Sequence, residues 1–441
     1  MIAKDRRSRI LEIALPIIGG MVSQNVLNLV DTLMVGQLGD VALAAVGLGS
    51  FANFMCTAFV TGLSTGVQAM SARRVGEGRS SEQAVPLNGG LLLAMSLGFV
   101  LSAVLMLTAA RWFPLLSNDA ALTQEGVPYL QARLTAMVAV GMNFSFRGYF
   151  NGVGQSRLYM RTLVIMHATN VVISYVLIFG TFGAPRLGSL GAGVGSAIAT
   201  WVGTATYVVL ALKHARSSGF LRGLPDSSTL RTMLRLSLPA GFQQLFFAAG
   251  MTAFFAIIAR VGTRELAASN VLLNLLLVAL LPAMGFGLAA ASLVGQALGK
   301  KDEADARRWA SEVMRLAFVL ISLLALPALV APQWVLAPFL HDPATLEVGR
   351  WPLRLIAAGM PIDTLGLVLM LSMQGAGDTR AVLVVSVVMQ WLILLPAVWV
   401  VGKLLALGLI GIWMVQLVYR VAQAGVFAAL WRRGGWARVR V

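Results

Sequence analysis

Long apolar runs and short polar breaks alternate along this chain from end to end. Twelve runs can be counted between charges and Pro/Gly breaks, near residues 13–35, 43–71, 87–109, 126–146, 158–180, 190–212, 236–259, 266–296, 310–331, 348–373, 381–401 and 407–430. At about 1.5 Å per residue, roughly 20 residues of helix cross a hydrocarbon core about 30 Å thick. Helix also satisfies each backbone N–H and C=O within its own segment, which lipid cannot do. The pattern predicts an all-α membrane protein with twelve transmembrane helices. The start, MIAKDRRSRI before the first run, superficially resembles a signal peptide. The run is too long and lacks a clear small-residue cleavage site, so it reads as a retained first span.

The same pattern repeats within the chain. At a constant offset of 223 residues, Leu15-Pro16 falls on Leu238-Pro239, Gly39 on Gly262, Ala44-Ala45 on Ala267-Ala268, Gly62 on Gly285 and Gly76 on Gly299. Further on, NGVGQSR at 151–157 falls on QGAGDTR at 374–380, and near the end of each half the offset becomes 220, with Gly191 on Gly411. Two six-helix halves follow, in the same orientation because six crossings return the chain to its starting side. The expected division is an N-lobe at 1–212, a basic, turn-rich cytoplasmic linker at 213–235, KHARSSGFLRGLPDSSTLRTMLR, and a C-lobe at 236–441. Two such pseudo-symmetric bundles leave a central cleft between them, the arrangement in which alternating access is achieved.

Composition narrows the class further. With 58% hydrophobic and only 12% charged residues, the chain lies outside the range of soluble domains. Its net charge of +16 does not mark a nucleic-acid binder, because the bases sit at short intervals between apolar runs. They sort by side instead: 25 Lys and Arg fall with the termini and 7 on the opposite face, with Arg133 and Arg420 left inside runs. Positive charge gathers in the cytoplasm, so both termini are expected there. The single cysteine, Cys56, permits no intrachain disulfide. The three histidines, His167, His214 and His341, are dispersed, without metal-ligand spacing, and no nucleophile motif is evident, so an enzyme is not expected.

Only two of the 18 acidic residues lie well inside runs, Asp31 and Asp363. A charged group near the centre of a membrane helix costs roughly 2.5–3.5 kcal/mol on insertion scales, so such an acid needs a partner, a proton or a task. Asp31 precedes TLMVGQLG and belongs to the outer half of helix 1. There it could exchange a proton, or bind sodium, a hard cation that prefers oxygen ligands. Asn170 and Ser174 share one face of helix 5 by their i,i+4 spacing, and Thr200 enters on helix 6 at similar depth. His167, three residues before Asn170, is a candidate relay or a packed core group. Pro16, fifteen residues before Asp31, allows helix 1 to bend because it lacks an N–H. Asp363, after Pro361, is a possible second site, and Arg420 in helix 12 matches it in depth and opposes it in charge.

At NLVDTLMVGQLG, in the paired halves, and in the two G-x-G loops after helices 4 and 10, the chain resembles the MATE family, multidrug and toxic compound extrusion antiporters. The resemblance covers all twelve helices. It implies a V-shaped, cation-coupled exporter of bulky, often cationic or amphipathic organic compounds, with H+ or Na+ as the coupling ion and no other cofactor. It also implies a monomer in a bacterial-type inner membrane, with lipid and small organic substrates as its partners. Asp31 matches the family's N-lobe coupling acid, Pro16 its helix-1 proline, and Asn170 and Thr200 two further positions of the N-lobe cation site. Ser174 departs from the family's frequent N-x-x-x-D pattern, which weakens a sodium site and favours proton coupling. Where the NorM-like branch carries a helix-7 glutamate this chain has Phe247, while Asp363 matches the helix-10 acid, so a DinF-like or divergent branch is expected. The loop SARRVGEGRS does not fit the signature of major facilitator transporters.

A lipid-linked intermediate flippase of the same superfamily is the competing reading. Such proteins tend to have more spans and a strongly cationic cavity, whereas few bases lie within runs here. The charge asymmetry makes one direct prediction: a reporter active only in the cytoplasm should be active when fused to either terminus, and silent when placed in the loop around Pro185.

Overall fold

The computed structural model describes residues 2–117, 119–340, 342–405, 407–439 and 441, without the side chains of 263, 264 and 267; His341 lies outside the described residues. Among the described residues all regular structure is helical. The helices are α1 (Lys4–Gly36), α2 (Asp40–Ala58), α3 (Gly62–Gly76), α4 (Val85–Trp112), α5 (Ala120–Leu134), α6 (Met137–Gly152), α7 (Ser156–Phe179) and α8 (Ser189–His214). There follow α9 (Ser227–Ala259), α10 (Thr263–Gly299), α11 (Glu303–Val330), the short α12 (Pro332–Leu336), α13 (Pro343–Ala376), α14 (Thr379–Val387), α15 (Leu395–Trp399) and α16 (Gly408–Arg433). Two π-helical segments, Val388–Leu394 and Val400–Leu404, flank α15 and join it to α14 in a single stretch.

Eleven of these stretches are long and apolar enough to cross a membrane, so the chain is a multi-pass membrane protein. The apolar run at 126–146 is the one not counted among them. It is covered by α5 and α6, which are separated at Thr135 and Ala136. There the Ala136 N–H closes back on the Arg133 carbonyl at 3.1 Å and the Thr135 hydroxyl donates to the Ala132 carbonyl at 2.6 Å. This tight turn divides the run into two helices of 15 and 16 residues.

The chain forms two compact units, one of residues 19–241 and the other of residues 1–18 and 242–441. This differs from a division at 212 and 236. Both α1 and α9 change unit along their length, after Ile18 and after Gly241, at the same offset of 223 that relates Pro16 to Pro239. Each proline removes one rung of its helix ladder just before the change. The N-terminal segment is held in the second unit by charge and ring contacts. Arg6 pairs with Asp305 at 2.6 Å and with Glu312, and its guanidinium stacks 3.6 Å over Trp309.

The segment read as a linker, 213–235, is built into the first unit. Asn88 of α4 clamps it, donating to the Gly219 and Gly223 carbonyls at 2.9 and 3.2 Å and accepting from the Leu221 N–H at 3.0 Å. Phe220 is fully buried against Phe146, whose ring stacks on Tyr207 at 5.2 Å. Asp226 caps the start of α9; hydrogen bonds from Ser228 and then Thr229 hold its carboxyl down at about 2.

Close approach through small residues sets the packing in both units. With lipid outside, no hydrophobic gain drives helices together, so contact has to come from backbone proximity and dispersion. In the first unit α3 packs on α6, where Gly148 lies against the Ser64 backbone, and Gly98 of α4 lies against Val138 of α6. In the second unit α10 and α13 meet where Gly375 faces the Ala291 backbone, and α13 meets α16 where Gly366 faces Ala424. Large apolar side chains such as Leu107 and Phe99 project outward, as suits a lipid-facing surface.

A Cβ at Gly148 would come within 3.1 Å of the Ser64 Cα, whereas one at Gly47 meets nothing within 4 Å. Gly148→Ala should therefore lower the thermal midpoint of the detergent-solubilised protein by several degrees, through overpacking of roughly 1–3 kcal/mol. Gly47→Ala should leave it unchanged or slightly raised, since alanine favours helix by about 1 kcal/mol over glycine.

Candidate functional site

Three sets of contacts fix how α1 lies on α7 in the first unit. Gly20 packs against Tyr159 and Leu163; Ser23 and Gln24 meet His167 at 3.1 and 3.0 Å; and Met34 and Val35 share an apolar cluster with Ile178. The two helices therefore run parallel, each position facing one about 143 residues further on. That register sets Asp31 level with Ser174. Asp31 lies on the buried face of α1, between Leu27 and Met34, which are both buried. Its Oδ1 is buried and has no hydrogen-bond partner among the described residues.

Beside this level α7 and α8 carry a polar ladder. Asn170 Nδ2 donates to Ser196 Oγ at 3.0 Å, and Ser174 Oγ donates to Asn170 Oδ1 at 3.4 Å. The Thr200 hydroxyl donates to the Ser196 carbonyl, the Thr200 carbonyl accepts from Asn143, and Thr204 donates to Asn143 Oδ1 at 2.8 Å. Asn170, Ser174 and Thr200 are thus brought together through Ser196, with Asn143 tying Thr200 on to Thr204; the sequence reading missed both Ser196 and Asn143. The signal was present in part, because Ser196, Thr200 and Thr204 recur at i,i+4 on one face of α8. Asp31 makes no hydrogen bond to this ladder. The departure at Ser174 has a packing reason: Gly195 of α8 lies directly against it, with no space for a Cβ at Gly195 and little for a longer side chain at 174.

The charge that reaches Asp31 comes from Arg133 near the end of α5. Arg133 donates to the Tyr129 hydroxyl at 3.4 Å, and that hydroxyl pairs with Ser50 at 2.8 Å. The sequence left Arg133 inside a run without connecting it to Asp31; the turn at Thr135 and Ala136 sets the end of the helix that carries it.

In the second unit Asp363 of α13 and Arg420 of α16 form a bonded pair, Nη1 to Oδ1 at 3.3 Å. They border a cavity of about 30 Å³, lined also by Trp413, Gln416, Met360 and Leu276. Trp413 Nε1 and Gln416 Oε1 are buried there without a partner among the described residues. Under the 220 offset Arg420 occupies the position of Thr200. Phe247 supplies only its carbonyl, which accepts from Gln390 at 3.3 Å. Pro16 is buried and α1 continues through it as one helix. Of the two described histidines, His214 caps its own helix through the Leu210 carbonyl at 3.0 Å. No group of three metal-ligating side chains occurs among the described residues.

Comparison with known proteins accords with this architecture. The MatE family pattern matches residues 16–176 and again 239–400, two stretches that begin at the 223-residue offset. A probable multidrug resistance protein NorM of Thermotoga maritima is 23% identical over 98% of this chain and 93% of its own length. Another of that name, from Agrobacterium fabrum, is 28% identical over 91% of this chain and 88% of its own. Among solved structures, an outward-facing multidrug resistance MATE family transporter of the MOP superfamily superposes with a TM-score of 0.90 at 20% identity, covering 99% of this chain and 97% of that one. A MOP superfamily transporter from Pyrococcus furiosus, described as having a binding pocket of reversed polarity, superposes at 0.88 with 20% identity, covering 98% and 96%. With the family pattern matching in both repeats, this chain belongs to the MATE family of transporters.

Proposed function

We propose that this transporter, which like its family is not an enzyme, is a secondary antiporter. It exports bulky, often cationic organic compounds in exchange for a small cation taken up at Asp31. Its frame is twelve crossings in two six-helix bundles forming a V-shaped cleft, α5 and α6 together making the fourth. The termini are cytoplasmic and the membrane is a bacterial-type plasma membrane, in which the chain acts as a monomer.

The observation that carries this reading is the state of the Asp31 carboxyl: buried at Oδ1, without a hydrogen-bond partner, and level with the Asn170–Ser174–Ser196 ladder. A carboxylate so placed is stabilised by neutralisation, and a proton or Na+ supplies it. Once neutral it no longer needs the field of Arg133 and can move deeper among the apolar faces of α1. The missing rung at Pro16 lets the outer segment of α1 follow. The bound cation and the export step are then linked through one helix. The oxygens of the ladder are already engaged with one another, and Ser174 adds no charge, which favours H+ over Na+. Asp363 stands apart, since Arg420 already neutralises it. Arg420 is paired with Asp363 and Arg133 acts on Asp31, so the two bases deepest within runs are matched to acids, which counts against the strongly cationic cavity of the flippase reading.

In proteoliposomes carrying a pH or sodium gradient, Asp31→Asn should abolish coupled efflux of an organic cation such as ethidium, while the variant inserts and purifies like the parent. Wild-type efflux by that variant, or efflux by the parent indifferent to both gradients, would refute the assignment. Arg133→Gln should retain efflux with an altered pH profile, because it removes the competing charge and leaves the carboxyl.

A further inference from the structure

His167 is the one described histidine held between two helices, and each of its ring nitrogens faces a group on α1. Nε2 lies 3.0 Å from Gln24 Oε1, which only accepts, and the Gln24 amide nitrogen is engaged with Asn28 Oδ1 at 3.1 Å. Nε2 therefore carries a hydrogen. Nδ1 lies 3.1 Å from the Ser23 hydroxyl, and that hydroxyl has a second acceptor in reach, the Gly20 carbonyl at 2.8 Å. Two complete hydrogen-bond arrangements exist for the same heavy atoms. With a neutral ring, Ser23 donates to Nδ1. With a proton on Nδ1, that N–H donates to Ser23 Oγ and the hydroxyl turns to the Gly20 carbonyl. Neither ring nitrogen nor the Ser23 hydroxyl is left unpaired in either state.

We infer that His167 is a second proton-binding site of the first unit, with the Ser23 hydroxyl as its two-position switch, and that its charge state sets how firmly α1 is held against α7. Proton uptake forms one Nδ1–H bond and redirects one O–H, with the proton drawn from water. In the charged state both ring nitrogens donate to α1, and charge-assisted bonds are the stronger ones. The contact falls on Ser23 and Gln24, two turns before Asp31, so His167 acts on the coupling acid as a positioning residue, through the helix that carries it.

The repeat offers an internal contrast. At the 223 offset His167 corresponds to Gln390, which holds the same place between the first and fifth helices of the other half. Gln390 donates to the Phe247 carbonyl and Trp391 to the Phe246 carbonyl, at 3.3 and 3.2 Å. The bridge is built in both halves, and only in the first is it titratable. Titratable and charged groups facing α7 from its neighbours within the first unit are Asp31 on the 19–36 portion of α1, Arg147 and Tyr149 on α6, and Tyr207, Lys213 and His214 on α8. None of them is a hydrogen-bond or ion-pair partner of the imidazole among the described residues.

The use of this site in transport rests on the antiport reading, but its existence does not, and the test separates the two. In full-length protein in lipid nanodiscs, labelled with ¹⁵N-histidine, the resonance lost in His167→Gln should change charge state within a scan over about pH 4 to 9, a range wide enough to bracket the free value of about 6.5 and shifts from it. Nε2 should remain protonated throughout. After correction for the intrinsic pH dependence of amide exchange, protection of the amides at 19–30 should rise about fivefold, seen as a corrected slowing, as His167 takes up its proton, a change on the scale of one net hydrogen bond. In both Ser23→Ala and His167→Gln that slowing should vanish, and in Asp31→Asn it should persist. An imidazole locked in one state across the range, or corrected protection of α1 that follows pH equally in His167→Gln, would overturn the proposal whatever Asp31→Asn does to efflux.

Discussion

A carboxylate inside a lipid-embedded helix has to be compensated, because hydrocarbon offers it neither water nor counterions. Each unit of this protein meets that demand with an arginine from another helix, and the two solutions differ in kind. Asp363 is hydrogen-bonded to Arg420, so its charge is permanently matched by a tethered cation. Asp31 receives only the field of Arg133, which is itself bonded to Tyr129, and keeps a buried oxygen unpaired. A matched pair has little to gain from a passing cation, and an unmatched acid has much. The asymmetry between the two units follows from that difference.

Close packing makes the difference durable. Where Gly195 abuts Ser174 and Gly148 abuts Ser64, the backbones leave no slack for a side chain to rearrange. The polar ladder from Asn170 to Thr204 is therefore fixed in place with its hydrogen bonds made. Against that fixed ladder, α1 and α9 each carry a proline and change unit along their length, after Ile18 and after Gly241, and α1 is in addition tied to α7 by side-chain contacts at His167.

The internal repeat shows how function was layered on a shared frame. Gln390 and His167 bridge equivalent helices, Arg420 stands where Thr200 stands, and Phe254 stands where Asp31 does. Phe254 packs edge-on against Trp413 in an apolar cluster. At these positions one half carries an aromatic ring, a glutamine and a paired arginine, and the other an unpaired carboxyl, a histidine and a threonine.

Much of this was legible in the chain itself. Apolar runs of spanning length are dictated by the hydrocarbon thickness, so the crossings could be read directly, as could the repeat, whose glycines mark places where backbones must approach. Asp31, Asp363 and the shared face of Asn170 and Ser174 were visible because charge is rare in such runs and helical spacing is fixed. The bond between Asp363 and Arg420 was readable from depth and sign alone. Tertiary structure decided the rest. Ser196 joined the ladder, Arg133 came within reach of Asp31, His167 met α1, and the ends of α1 and α9 changed units, because each depends on which helix faces which and in what register. Periodicity says which side of a helix is buried, but not what it is buried against. That choice belongs to the packing of small residues across helices far apart in sequence.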